Sequence, residues 1–402
     1  MSNVILKRWI TVIVVVSMLT TGCWGRRELN ELGIMVGIGV DLIKPGLYRV
    51  TYQEVNPSGV SPQGGGGSAA PINTFSTTGP TLGVANRKTA QKISRRILTP
   101  HVKILVIGEK AAREEGITKI MDLIERDDKF RWNAQLLIAK DDTAENILKV
   151  LTPIQKISAL RLSQQVAMGE ELWGEDVAIN AMDAAHAIAS AGMEPAIGGV
   201  ELKGNPNEGA KDTNITNSAP PAHIDLNGMA IFKGDRLKHW MRESESRGLT
   251  WALNKVSSTI VVIDCPQNKP EPINIEILRA QSKLEPEIDG KKPRFHIKIR
   301  TEGKVAEVHC AADLDNRAII ERLEERTAQA IKKDIEAAVK VAQKHKSDIF
   351  GFGEAVHRSD PKKWDKLKKN WNNRFAESDV VVEVEALLRG TGLISNRVKK
   401  KG

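Results

Sequence analysis

The sequence predicts a multidomain α+β chain, with a mixed α/β domain in its first half and an antiparallel sheet packed on one long helix in its second. Three observations carry this reading. Short apolar runs alternate with helical patterns up to about residue 150. A polar stretch rich in Gly, Pro and Asn occupies 203–222. Beyond it, three long β-branched segments precede one sustained amphipathic stretch.

The N-terminus comes first. Lys7 and Arg8 precede an apolar run from Trp9 to Leu19, and Thr20-Thr21-Gly22-Cys23 follow. This is the order of an export signal: a basic start, a short apolar core and small residues at a cleavage site. The run is too short for a spanning helix, which needs about 20 apolar residues, so residues 1–22 are read as a signal peptide. Small residues ending in Cys resemble the lipobox of bacterial lipoproteins. Cys23 is therefore the candidate lipidation site, its sulfur receiving a diacylglyceryl group. Two acyl chains suffice for lasting membrane attachment where one does not.

Residues 23–152 are expected to form the N-terminal mixed α/β domain. Gly33 to Ile43 is a buried strand, and Tyr48 to Val55 is its hairpin partner across Pro45-Gly46. Residues 57–73, with Pro57, Pro62, Pro71 and Gly64 to Gly67, make a long loop. Thr81 to Leu98 is predicted helical and stopped by Thr99-Pro100. Lys103 to Ile107 and Trp132 to Ala139 are strands, and 111–126 is a helix between them. Asp142 to Leu151 is a helix with Asp142 positioned to cap it. Residues 153–202 are expected to be mostly helical and 203–222 to be a linker.

The C-terminal domain, 223–396, is predicted to open with a hairpin, Asn227 to Phe232 and Arg236 to Trp240. A helix at Ser244 to Leu253 follows. Three strands come next, at Val256–Ile263, Ile273–Leu284 and Arg294–Thr301. Asp313 to His345 is the long helix, with Ile319, Leu323, Ile331, Ile335 and Val339 on one stripe, and Val380 to Leu388 is the last strand. Residues 397–402 form a basic tail. The net charge of +9 is spread along the chain and selects neither nucleic acid nor membrane. Export permits a disulfide between Cys265 and Cys310. Sequence supplies no distance for it, and two buried thiols are the favoured reading over a bridge.

No motif for catalysis, a metal or a cofactor emerges. None of the 8 histidines shows the spacing of a zinc helix, and Cys-x-x-Cys is absent. Gly37-Ile38-Gly39 follows a strand but lacks the third glycine and the helix of a dinucleotide site. Gly-x-x-x-x-Gly-Lys and Gly-x-Ser-x-Gly are also absent. Trp364 and Trp371, seven residues apart, are predicted on one helix face. They are read as core anchors, with a partner-binding surface as the sharper alternative.

A wider pattern emerges from these pieces. Gly22-Cys23-Trp24-Gly25-Arg26-Arg27-Glu28-Leu29-Asn30 and Gly37-Ile38-Gly39-Val40-Asp41 resemble the Ger(x)C family of spore germination lipoproteins, which commonly has Asp where this chain has Gly25. Further matches are Gly228 to Lys233 with Trp240, Arg247-Gly248-Leu249 with Trp251, and Gly351-Phe352-Gly353 with Pro361 to Trp364 and Trp371. They run in family order over nearly the whole mature chain. The resemblance implies a non-enzymatic C subunit of a germinant receptor, without cofactor, metal or nucleic-acid partner. It would be lipid-anchored on the outer face of the spore inner membrane and would work beside the integral membrane A and B subunits. The competing expectation is a solute-binding lipoprotein that captures a nutrient itself.

Overall fold

The computed structural model describes residues 31–60, 69–266, 271–288 and 292–390, with Ile5, Arg8 and Trp9 before them. Cys23, the rest of the expected signal peptide, the glycine run and the basic tail lie outside the described residues. No described helix is long and apolar enough to cross a membrane.

The first sheet is built on four parallel strands, β1 (Leu32–Lys44), β5 (Ile104–Gly108), β6 (Gln135–Ala139) and β7 (Ala196–Gly204). Antiparallel hairpins extend it at both edges. On one side are β2 (Leu47–Val55) and β3 (Ile72–Gly79), on the other β8 (Ala222–Lys233) and β9 (Arg236–Trp240). A short β4 (Arg96–Leu98) pairs with the start of β1. The central strands are apolar on both faces, as parallel strands covered by helices must be. Leu105, Ile107, Leu136 and Ile138 meet one helical layer, and Ile104, Val106, Leu137 and Ala139 the other.

The helices of this half are α1 (Pro57–Val60), α2 (Leu82–Lys88), α3 (Glu109–Glu114), α4 (Thr118–Glu125), α5 (Ala144–Lys149), α6 (Ser158–Leu172) and α7 (Ala181–Ala189). Helices α2, α4 and α7 cover one face, while α5 and α6 cover the other. Two short turns, α8 (Pro206–Gly209) and α9 (Thr213–Thr216), follow β7.

Several expectations are corrected here. The predicted helix at Thr81 to Leu98 ends with a 3-10 turn at Thr89–Gln91, and its last residues form β4. The helix expected over 111–126 breaks into α3 and α4 at Gly116, whose φ of +80° suits glycine. Thr143, not Asp142, caps α5, its hydroxyl accepting from Asn146 N at 3.2 Å. Residues 196–204 are a strand, not helix. Above all, 203–222 does not separate two domains. It connects β7 to its antiparallel neighbour β8, so the predicted hairpin at 227–240 completes the first sheet.

The second sheet is β10 (Thr259–Asp264), β11 (Pro272–Glu287), β12 (Arg294–Val308) and β13 (Asp379–Gly390), in that order. Against it pack α10 (Glu243–Ala252), α11 (Arg317–His345), α12 (Phe352–Ser359), α13 (Pro361–Leu367) and α14 (Trp371–Glu377). Helix α11 has 29 residues and so runs about 43 Å at 1.5 Å per residue. The expected stripe is real: Leu323, Ile331, Ile335 and Val339 are buried, and Ile319 packs at its edge. The sheet is not wholly antiparallel, because β13 pairs parallel to β12. A strand returning beside its predecessor after a helical crossover takes that direction.

The expectation of two free thiols is also corrected, since Cys265 and Cys310 form a disulfide with Cα atoms 6.3 Å apart. The pairing of Ile273 with Val308 in β11 and β12 brings the two cysteines, 45 apart in sequence, together.

Candidate functional site at the junction of the two sheets

Cys23 lies outside the described residues. Trp364 and Trp371 lie deep in the second half, at 5% and 2% exposure. A 3-10 turn at Lys368–Asn370 separates their helices, yet the rings meet edge to face with centroids 5.1 Å apart. The core reading therefore holds, and the alternative of an exposed contact surface made by these two rings is corrected: their apolar area is already covered.

What the structure gathers instead is a seam between the two halves, organised by Asp348. Helix α11 ends at Lys346, which takes the left-handed conformation with φ 53°. The chain then dives inward, and Ser347 and Asp348 are fully buried. One Asp348 oxygen accepts from Phe352 N at 3.1 Å. The other accepts from Gly353 N at 2.9 Å and from Trp371 Nε1 at 2.8 Å. This carboxylate thus caps α12 and fixes Trp371 at once. Burial nevertheless pushes its pKa up to about 6, with these hydrogen bonds opposing the rise.

Glycine is required here by contact. A Cβ on Gly353 would stand 2.5 Å from Gly192 Cα, a residue of the first half. Across that approach Glu354 N donates to Gly192 O at 3.2 Å and Glu194 N to Asp348 O at 2.9 Å. Glu194 in turn accepts from Asn372 Nδ2 at 3.0 Å and from Gly234 N at 2.6 Å.

A second seam lies at α10. Arg247 Nε donates to Asp334 on α11 at 2.7 Å, and its Nη1 to Glu175 at 3.1 Å. Gly248 lets α10 touch α11, because a Cβ there would fall 2.0 Å from Asp334 O. Thr259 Oγ1 donates to Trp173 O at 2.6 Å, and Thr250 Oγ1 bonds Gly174 O. Between the seams one apolar core is shared, Val177, Ala196, Met229, Ile231 and Met241 from the first half packing with the second sheet.

The motif at 37–41 has the same kind of meaning. Gly37 and Gly39 face α5 and α6, where a Cβ would strike Leu148, Ala159 or Ala144. Asp41 accepts from Ala144 N at 2.7 Å and Glu145 N at 3.1 Å, capping α5 from a neighbouring strand. Trp240 lies over Gly199, donates to Glu109 at 3.0 Å and carries Lys140 Nζ 5.4 Å from its ring centroid.

Sequence reasoning missed a pocket of about 320 Å³ beside the second seam, lined by Trp173, Glu175, Asp176, Asn227, Glu243 and Ser246. It also missed an open apolar groove lined by Ile154, Met168, Pro220 and Leu226, where Ile154 is fully exposed. The three acidic residues stood in the sequence, but nothing there joins 173–176 to 243–246.

Comparison with known proteins covers most of the chain. Residues 25–202 match the model described as the spore germination protein N-terminal domain. Residues 227–392 match "Spore germination B3/GerAC like, C-terminal". The chain is 33% identical to Spore germination protein KC of Bacillus subtilis, over 94% of each chain. It is 21% identical to Spore germination protein B3 of the same organism, over 93% of this chain and 95% of that one. The crystal structure of the GerBC protein superposes with a TM-score of 0.55 at 19% identity, over 88% of this chain and 97% of that one, which establishes the shared α+β fold. The gap between the two matched segments falls at 203–226, inside the continuous first sheet.

Proposed function

The chain belongs to the GerAC-like family of spore germination proteins, and from that premise we propose that it is the lipid-anchored, non-enzymatic subunit of a germinant receptor. Cys23 attaches it to the outer face of the spore inner membrane, beside the membrane-embedded A and B subunits. The family is not one of known enzymes. The observation that carries the reading is likeness along the whole chain to proteins named for spore germination, joined to a lipobox cysteine at the expected place.

The physics of a tether supports it. β1 begins at Leu32, nine residues after Cys23, and an extended segment of that length spans about 30 Å. A diacylglyceryl group on Cys23 would keep the folded body within that distance of the bilayer and raise its effective concentration against integral partners. The two halves differ in architecture, one a three-layer sheet and the other a sheet with a long helix. They are not the matched lobes of a solute-binding lipoprotein.

Substituting Cys23→Ala tests this. The variant is expected to leave the membrane fraction and to weaken the germination response to nutrient, while mass spectrometry of the parent finds a diacylglyceryl-modified Cys23 at the N-terminus. A bare thiol on the parent protein, or a full response from a soluble variant, would overturn the proposal.

A further inference from the structure

The geometry points to a binding site for a small organic cation, an alkyl ammonium without a carboxylate of its own, in the pocket between α6, β8 and α10. Two of its groups lack polar partners. Asp176 makes no hydrogen bond or ion pair among the described residues, though it is half-buried on the pocket wall. Ser246 is fully buried on the pocket wall, and its hydroxyl also has no partner. Buried polar groups are almost always satisfied, so the open Ser246 hydroxyl, on the same cavity as the half-buried Asp176 carboxylate, calls for an occupant.

The charge of the wall defines that occupant. Glu175, Asp176 and Glu243 face the pocket, and none of its lining residues is basic. The nearby guanidinium of Arg247 is engaged by Asp334 and Glu175. A free amino acid would bring a carboxylate for which the wall has no partner. A cation with an aliphatic body suits it, because Leu226 and the half-exposed ring of Trp173 supply apolar and π surface.

A bare metal ion fits less well. Among the described residues, only Cys265, Glu271 and Cys310 bring three potential ligand atoms within 4.8 Å of one another, and those two cysteines are bonded to each other. The three pocket carboxylates do not converge that closely. Their spread around about 320 Å³ matches a ligand with several N–H donors rather than one central charge. Burial also holds the Asp176 carboxyl above its ordinary range, and burial together with neighbouring Glu243 raises that of Glu175 against the pull of Arg247.

Isothermal titration calorimetry of the purified full chain with 1,4-diaminobutane tests this, with calcium chloride and alanine as comparisons. The inference does not depend on lipid attachment, since it concerns the folded body alone. Saturable one-to-one binding of the diamine is expected, with no saturable heat from alanine or calcium. Asp176→Asn should weaken it about tenfold or more, through loss of a charge-assisted hydrogen bond. Trp173→Ala, a change at a half-exposed ring, should weaken it several-fold, with binding read well below the melting temperature of the variant. No saturable heat from the diamine at millimolar concentration overturns the assignment. So does saturable calcium binding that displaces the diamine, or equal affinity in both variants and the parent.

Discussion

Replacing Gly353 with alanine tests whether the Asp348 seam holds the two halves together. The added methyl would lie 2.5 Å from Gly192 Cα, 2.8 Å from Gly192 O and 2.7 Å from Trp371 Nε1. Carbon atoms prefer separations of about 3.5–4.0 Å, so the seam must open by roughly 1 Å or distort in place. Distortion is an overpacking cost of about 1–3 kcal/mol. Opening instead strains the bond from Trp371 Nε1 to Asp348, 2.8 Å long. A hydrogen bond to a buried carboxylate is worth about 1.5–3 kcal/mol. The molecule takes the cheaper route, and either one destabilises it by about 2 kcal/mol. Gly83→Ala is the control, because a Cβ on that exposed residue of α2 meets nothing within 4 Å; it should be neutral or stabilising by up to about 1 kcal/mol. Urea unfolding followed by tryptophan emission reads both global stability and the surroundings of Trp364 and Trp371. A Gly353→Ala protein as stable as the parent, with unchanged emission, would refute the close-contact argument.

Asp176→Asn has a pH signature of its own. Burial raises the Asp176 pKa from 3.8 to about 6, so its contribution favours folding below about pH 4 and is lost as pH rises through 6. The asparagine variant should therefore melt higher than the parent at pH 7.5, by at most about 3 kcal/mol, and match it near pH 4; a variant less stable than the parent at pH 7.5 would contradict the unpaired charge. Cys310→Ser should lower stability by about 2–4 kcal/mol, the usual range for a bridge closing a loop of this size. Reducing agent should then shift the parent's unfolding midpoint and leave that of the variant in place.

The fold was legible wherever local pattern and tertiary demand coincide. The stripe of α11 needed only its periodicity, and β1, β5, β6 and β12 needed only short apolar or β-branched runs. Strand β7 falls in the stretch expected to be mostly helical, where Gly198-Gly199 interrupts any alternating pattern. It is a strand because Gly199 makes room for Trp240, a residue 41 positions on. Strand β3, rich in Thr and Ser, carries no apolar alternation of its own, and its hydrogen bonds to β2 are long-range. The glycines at 37, 39, 248 and 353 were visible only as a family pattern, since a close approach names its second party in space and not in sequence. The same holds for the disulfide, which depends on strand register, and for the pocket, whose open carboxylate and hydroxyl sit 70 positions apart.

The polar stretch at 203–222 shows what composition alone leaves out, and it yields a prediction about where the chain can be cut. A fragment ending at residue 202 keeps the first matched segment but loses β8 and β9. It cuts off the last two residues of β7, strips the rest of that strand of its antiparallel partner and removes Ile224, Ala230 and Phe232 from the two cores they help fill. A fragment ending at Met241 restores that sheet, yet still bares Val177, Ala196, Met229, Ile231 and Met241, which the second half covers. Burial of a large apolar side chain is worth about 1.5–3 kcal/mol, so uncovering several of these residues removes a sum comparable to the whole stability of a typical domain, about 5–15 kcal/mol. Both fragments should be aggregation-prone, the shorter more so, while the full chain melts in one transition. A soluble monomer ending at residue 202 with a cooperative melt of its own would mean that the two halves fold independently and that the shared core contributes little. If the full chain instead melts once and neither fragment folds, the body that Cys23 is proposed to tether moves as a single piece, and any signal it passes must cross its outer surface rather than a hinge at 203–222.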